Sequence, residues 1–189
     1  MSNILRDFVY DPENVDNNLR LAIYYDILDQ TASAVSYYLR TAERSSNDIV
    51  KYQSLLCAAD CFDRQGCRNY TVKGLLQHAI AILPERPEGY YALSKFYEKE
   101  RNYNDSYLIS SIGEKVSNRE LKPLTLYTKY PGFYSILFQK ALSAWWCGLC
   151  NESIKIFKDL NDNYDLNDEY TDLVKNNLKS KVLSLKMDK

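Results

Sequence analysis

Residues 87–120 read PEGYYALSKFYEKERNYNDSYLISSIGEKVSNRE, and this stretch decides the fold. Ser94 is followed three positions on by Tyr97 and twelve positions on by Ser106. The same small–large–small order recurs at Ala22/Tyr25/Ala34 and at Ala59/Phe62/Val72, the latter with one extra residue. It returns at Ala141/Ala144/Ser153, with Ala144 in the place of the large residue. Small side chains at this spacing let two antiparallel helix axes approach closely, while the aromatic fills the space beside them. Four such copies specify stacked helical hairpins, an all-α repeat scaffold of a kind that binds rather than transforms.

Working outward, Pro87 opens a helix at little cost, because its missing N–H would have had no partner in a first turn. Tyr90, Leu93, Ser94 and Tyr97 face inward, and Tyr103–Val116 returns with Ser106, Ile109 and Gly113. Upstream, Leu19–Leu28 pairs with Ala32–Arg44, and Ile49–Phe62 turns at Gly66 into Thr71–Leu83, which stops at Pro84. Downstream, Phe133–Trp146 turns at Gly148 into Glu152–Leu160. Glu169–Leu185 can carry an apolar stripe of Tyr170, Leu173, Val174, Leu178, Val182 and Leu185, suited to capping the open end of a stack. Residues 1–17 read as a lead-in segment. Residues 117–133, with Pro123, Pro131 and Gly132, read as an irregular insertion whose Tyr127, Tyr130 and Phe133 pack down on neighbouring helices.

Bulk properties agree. The chain has 189 residues, enough for one domain with a sizeable core, and only 6 Gly and 5 Pro, both of which weaken helices. A formal net charge of −1 provides no basic field for nucleic acid or an anionic membrane. No apolar run is long enough to span a bilayer, and Met1–Tyr10 lacks the apolar core of a secretory signal. The five cysteines therefore read as reduced thiols of a cytoplasmic protein. The 17 tyrosines suit helix packing in which the ring is buried and the hydroxyl finds a partner.

These residues resemble tetratricopeptide repeats, helix–turn–helix units of 34 residues with small and aromatic residues at set offsets. Residues 87–120 match best, 52–86 nearly as well, and 15–48 and 134–167 less closely. The resemblance implies one domain over 1–189, with the insertion at 117–133 and the cap at 169–185. Leu55-Leu56-Cys57-Ala58-Ala59, Leu83–Tyr91 and Phe138–Cys150 further resemble repeat regions joined to sugar-transferring enzymes of bacteria, phages and large viruses. No Asp-x-Asp triplet or Gly-rich phosphate loop accompanies them. The resemblance implies a non-catalytic protein-interaction scaffold, accessory to a glycosyltransferase or other sugar-modifying enzyme. The alternative is a repeat subunit or fragment of such an enzyme that touches its acceptor. Weak self-association through repeat edges is a third, minor reading.

In the family the first helix of each pair lines a concave groove. Carried over position by position, the groove residues are Ile23 and Asp26, then Gln53, Asp60 and Arg64, then Tyr91, Lys95, Glu98 and Lys99, then Phe138, Leu142 and Trp145. Leu19, Ile27, Leu56 and Trp146 fall on the same faces. Aromatics mixed with charges fit a protein or peptide partner; they also fit a solvated face over core aromatics, and both readings stay open here. No catalytic residue, cofactor or metal is assigned. Trp146-Cys147-Gly148-Leu149-Cys150 resembles the thioredoxin active-site run, yet it lies in a turn between helices with no βαβ pattern around it, so packing is the better reading. Cys57, Cys61 and Cys67 with His78 lack the tight pairs of structural zinc sites. His78, the only histidine, has no nucleophile or carboxylate spaced for it.

Overall fold

The computed structural model describes residues 2–127 and 129–187, with the side chains of 2, 182 and 184–187 left aside. Val182 and Leu185 of the expected stripe therefore lie outside the described side chains. Among the described residues ten α-helices follow one another: α1 Ser2–Tyr10, α2 Val15–Ile27, α3 Thr31–Arg44, α4 Asp48–Gln65, α5 Asn69–Ile82, α6 Pro87–Lys99, α7 Tyr103–Val116, α8 Tyr134–Trp146, α9 Cys150–Asn163 and α10 Asp168–Met187. Among the described residues no strand occurs.

Two compact units divide the chain. The first holds Met1–Gly89 and Leu121–Thr128; the second holds Tyr90–Glu120 and Lys129–Lys189. In the first, α1 packs on α2, and α2, α3, α4 and α5 pack in sequence. In the second, α7 packs on α8, α8 on α9 and α9 on α10.

Every small residue of the repeating pattern is buried: Ala22, Ala34, Ala59 and Val72 in the first unit, Ser94, Ser106, Ala141 and Ser153 in the second. Each hairpin also turns through a residue with positive φ seven positions after its first small residue. These are Asp29 (54°), Gly66 (78°), Arg101 (58°) and Gly148 (80°). In three hairpins the next residue's N–H reaches five positions back across the helix end: Gln30 to Tyr25, Asn102 to Tyr97 and Leu149 to Ala144, each 2.9 Å. These contacts satisfy helix-end carbonyls that would otherwise lack donors. In the second hairpin Cys67 is also left-handed (59°), which absorbs the extra residue.

Two features differ from the sequence expectation. Residues 1–17 are not a bare lead-in, because α1 occupies Ser2–Tyr10. Phe8 lies edge-on to Tyr37 at 5.4 Å, Arg40 lies over Phe8, and Arg20 pairs with Asp7 at 3.2 Å. Nine residues are too few for a periodicity to stand out, and docking on α2 and α3 stabilises them. The helices also run up to four residues beyond the expected bounds, as at α2 and α9, because frayed ends carry little apolar signal.

The second unit's core gathers Leu137, Phe138, Ala141, Phe157, Leu160, Tyr170 and Val174. Phe138, Phe157 and Tyr170 meet edge-to-face at centroid distances of 5.6 and 5.2 Å. Close packing also explains Gly113, where a Cβ would come within 2.6 Å of the Tyr90 Cβ.

Candidate functional site

In the first unit, α2, α3 and α4 bring together the charged residues assigned to the groove. Asp26 forms an ion pair with Arg64 and accepts a hydrogen bond from the Tyr38 hydroxyl at 3.1 Å. Arg64 also pairs with Asp60 through Nε at 3.2 Å and reaches Asp29 at 3.4 Å. The Cys61 thiol points at Asp26 (3.6 Å), and Arg64 donates to its sulfur at 3.3 Å. Burial, reinforced by Asp26, pushes the Cys61 thiol up to about 11 and the Tyr38 hydroxyl well above its usual value. The thiol therefore stays protonated near neutrality, the reverse of an activated nucleophile. Asp26, Asp60 and Arg64 thus join α2 to α4 through ion pairs.

Gln53, assigned to the groove, is met by the chain's own insertion. It is 6% exposed, and its side-chain oxygen accepts the Leu126 N–H at 2.7 Å. The insertion thus meets one of the residues that the repeat pattern assigned to a partner. Leu56 is buried outright, while Ile23 remains partly exposed.

In the second unit, Tyr91 is 3% exposed. Its ring meets Tyr130 edge-on at 5.6 Å and its hydroxyl shares a hydrogen bond with Tyr170 at 3.3 Å. Lys95 is exposed and lies over the same ring, its Nζ 3.4 Å from the hydroxyl. Phe138 belongs to the core cluster, so Tyr91 and Phe138 are, like Gln53, corrections: each is covered by an element distant in sequence. Glu98 is partly exposed and Lys99 exposed. Leu142 packs partly buried against the core, and Trp145 is half-buried under Lys181, whose Nζ lies 4.6 Å from the ring. Burial lowers the Lys181 ammonium below its ordinary value.

Trp146 is 60% exposed and stacks on Tyr103 at 5.3 Å. In the thioredoxin-like run, Gly148 makes the turn and the Cys147 thiol, raised by burial, donates to Asn104 Oδ1 at 3.2 Å. His78 rims a groove of about 450 Å³ between α3, α4 and α5, and the fold brings a carboxylate, Glu43, to the same lining, which the sequence spacing did not show. Among the described residues no three His, Cys, Asp or Glu side chains assemble as a metal site, and no helix is long and apolar enough to cross a membrane.

Sequence reasoning missed Arg86 and Glu88. Both are almost fully buried and paired, Nη2 to Oε1 at 2.6 Å and Nε to Oε2 at 3.1 Å. Their i,i+2 charge pair beside Pro87 was the signal available.

The sequence matches no family model and no curated protein. Solved structures do match the fold. A crystal structure of MamA aligns with a TM-score of 0.63 at 17% identity, over 82% of this chain and 81% of that one. A second MamA structure gives 0.62 at 17%, over 86% and 84%. YrrB, described as a tetratricopeptide-repeat protein with an unusual peptide-binding site, gives 0.68 at 11%, over 97% and 84%. The fold is an all-α tetratricopeptide-type repeat solenoid. Identities this low establish architecture and nothing finer.

Proposed function

We propose that this chain is a non-catalytic protein-interaction scaffold, a single tetratricopeptide-like domain in function, which presents first-helix faces of its repeats to an extended protein segment. One observation carries the reading. With Gln53, Tyr91 and Phe138 buried, the same faces still carry side chains open to solvent. In the second unit these are Lys95, Glu98 and Lys99 of α6, with Leu142 and Trp145 of α8 partly open beside them. In the first unit Ile23 remains. An aromatic or aliphatic anchor flanked by charges of both signs suits peptide recognition. The peptide-binding site described for YrrB, a protein of similar fold, supports the reading. The partner class we assign is a sugar-modifying transferase of the cytoplasm, on the resemblance of 83–91 and 138–150 to transferase-linked repeats.

The test is affinity capture with the intact chain and a Lys95→Glu/Glu98→Lys variant as baits, followed by direct binding of any retained protein. A transferase held by the intact chain and lost from the variant supports the proposal. Identical profiles for both baits, or turnover of a sugar nucleotide by the chain alone, overturn it.

A further inference from the structure

We infer that residues 121–127 sit on the first unit as a built-in peptide ligand, and that their seat is a binding site for an extended partner segment of the same chemistry. The inference rests on the scaffold reading above and names a site and a ligand for it.

Two side chains of the first unit read the main chain of this segment. Gln53 accepts the Leu126 N–H at 2.7 Å, and Arg86 donates to the Lys122 carbonyl at 2.9 Å. Both are 6% exposed. The seat is organised by bonds of its own. Glu88, 2% exposed, clamps the Arg86 guanidinium through two nitrogens. The Tyr52 hydroxyl contacts Glu88 at 3.4 Å and accepts the Gly89 N–H at 2.7 Å. A guanidinium held this way needs little reordering to meet a backbone carbonyl.

The segment in turn behaves as a ligand. Leu124 and Tyr127 are 8% and 9% exposed, while Lys122 and Pro123 before them and Thr125 between them face solvent. Tyr127 lies close enough to Tyr52 for the two hydroxyls to interact electrostatically. Ordinary surface loops leave their main chain to water. Here main-chain groups are bonded and apolar side chains three apart are buried, the division of labour found in peptide recognition. A spacing of three, with Pro123 directly before Leu124, also suits one face of a polyproline-type extended chain. The fitting partner segment is therefore extended, with an aliphatic residue followed three positions on by an aromatic.

Tethering sets the competition. A short loop holds its own ligand at an effective concentration on the order of millimolar. If the seat is occupied about nine times in ten, an outside peptide binds about tenfold more weakly than to the open seat.

The experiment uses the full chain and a fluorescent peptide of sequence RELKPLTLYTK, residues 119–129, followed by anisotropy. The Leu124→Ser/Tyr127→Ser chain, with unchanged helical circular dichroism, is expected to bind it about tenfold more tightly than the unaltered chain. A peptide carrying the same two serines should not bind. No gain in the folded variant overturns the inference. Should the variant not fold, amide exchange of the unaltered chain decides instead. A Leu126 N–H that exchanges well before the slowest α4 amides supports a displaceable ligand; one released only with global unfolding overturns it. Because the capture experiment is scored at Lys95 and Glu98, its failure and the failure of this peptide to bind are separate results.

Discussion

The hairpins of the two units obey one spacing but close with different chemistry. In the second unit the returning helix carries serine at the second small position. Ser106 donates to the Ser94 carbonyl at 2.9 Å, and Ser153 donates to the Ala141 carbonyl at 2.7 Å. Ser143 extends the first of these with a 2.7 Å bond to the Ser106 hydroxyl. In the first unit the same positions hold Ala34 and Val72, which contribute only size. There the polar links lie at the helix ends, in the Asp26, Arg64 and Tyr38 cluster. The pattern constrains volume strictly and leaves hydrogen bonding free. A serine is accepted at a buried hairpin contact when a carbonyl of the facing helix stands within reach, because an unpaired buried hydroxyl would cost free energy.

The largest effect that would break the comparison lies at helical glycines. Gly113→Ala in the second unit drives a Cβ into Tyr90, and it should lower stability by about 1–3 kcal/mol in urea titration. Gly74→Ala in the first unit meets nothing within 4 Å, so it should gain about 0.5–1 kcal/mol from helix propensity. Equal responses at the two positions would mean that the close approach at Gly113 is not required.

Next come the serines. Ser106→Ala removes the acceptor of the Ser143 hydroxyl and is expected to cost about 1–3 kcal/mol. The reverse change, Ala34→Ser, places a hydroxyl where it can reach the Ala22 carbonyl, and the shift should stay within about 1 kcal/mol. A neutral Ser106→Ala in thermal melts would reduce the serines to simple spacers.

The turns sharpen the contrast further. Arg101→Gly relieves a left-handed non-glycine residue and should stabilise by roughly 0.5–1 kcal/mol. Asp29→Gly relieves the same strain but forfeits the contact with Arg64, so its gain should be smaller. A larger gain at Asp29 would make that ion pair irrelevant.

The smallest effect is electrostatic. Burial pushes the Glu152 carboxyl up, but hydrogen bonds from Lys140 at 3.1 Å and Tyr107 at 2.9 Å outweigh it and hold the group below its ordinary value. Its contribution is present above the unfolded carboxylate value of about 4.3 and is lost as pH falls through the lower folded value. Comparing urea midpoints of the unaltered chain and Glu152→Gln at neutral and acid pH should show a difference that shrinks on acidification. A constant difference would remove the linkage.

Much of the architecture was legible because it is written locally. The small-residue spacing located all four hairpins, and Gly66 and Gly148 announced two of the four left-handed turns. Asp29, a residue type that tolerates the left-handed region, falls in the Asp29-Gln30-Thr31 break that ends the first helix, whereas Arg101 announced nothing, since its φ is imposed by helix-end bonds rather than preferred by the residue. The candidate surface was legible only in part. Lys95, Glu98 and Lys99 remain accessible or partly so, whereas Gln53, Tyr91 and Phe138 share the same helical register and are covered. Period identifies which residues share a face, not what arrives to cover it.

What the sequence by itself determined is therefore the helices of the four hairpins, their pairing and the buried small contacts, because each depends on residues within about one hairpin of one another. Tertiary structure alone decided that the insertion would meet Gln53 and Arg86, and that Tyr130 and Tyr170 would close over Tyr91. Those contacts join residues 36 to 79 positions apart, some through main-chain groups that every residue possesses. Backbone donors and acceptors leave no trace in composition or periodicity, so only the folded chain reveals which of them a side chain will hold.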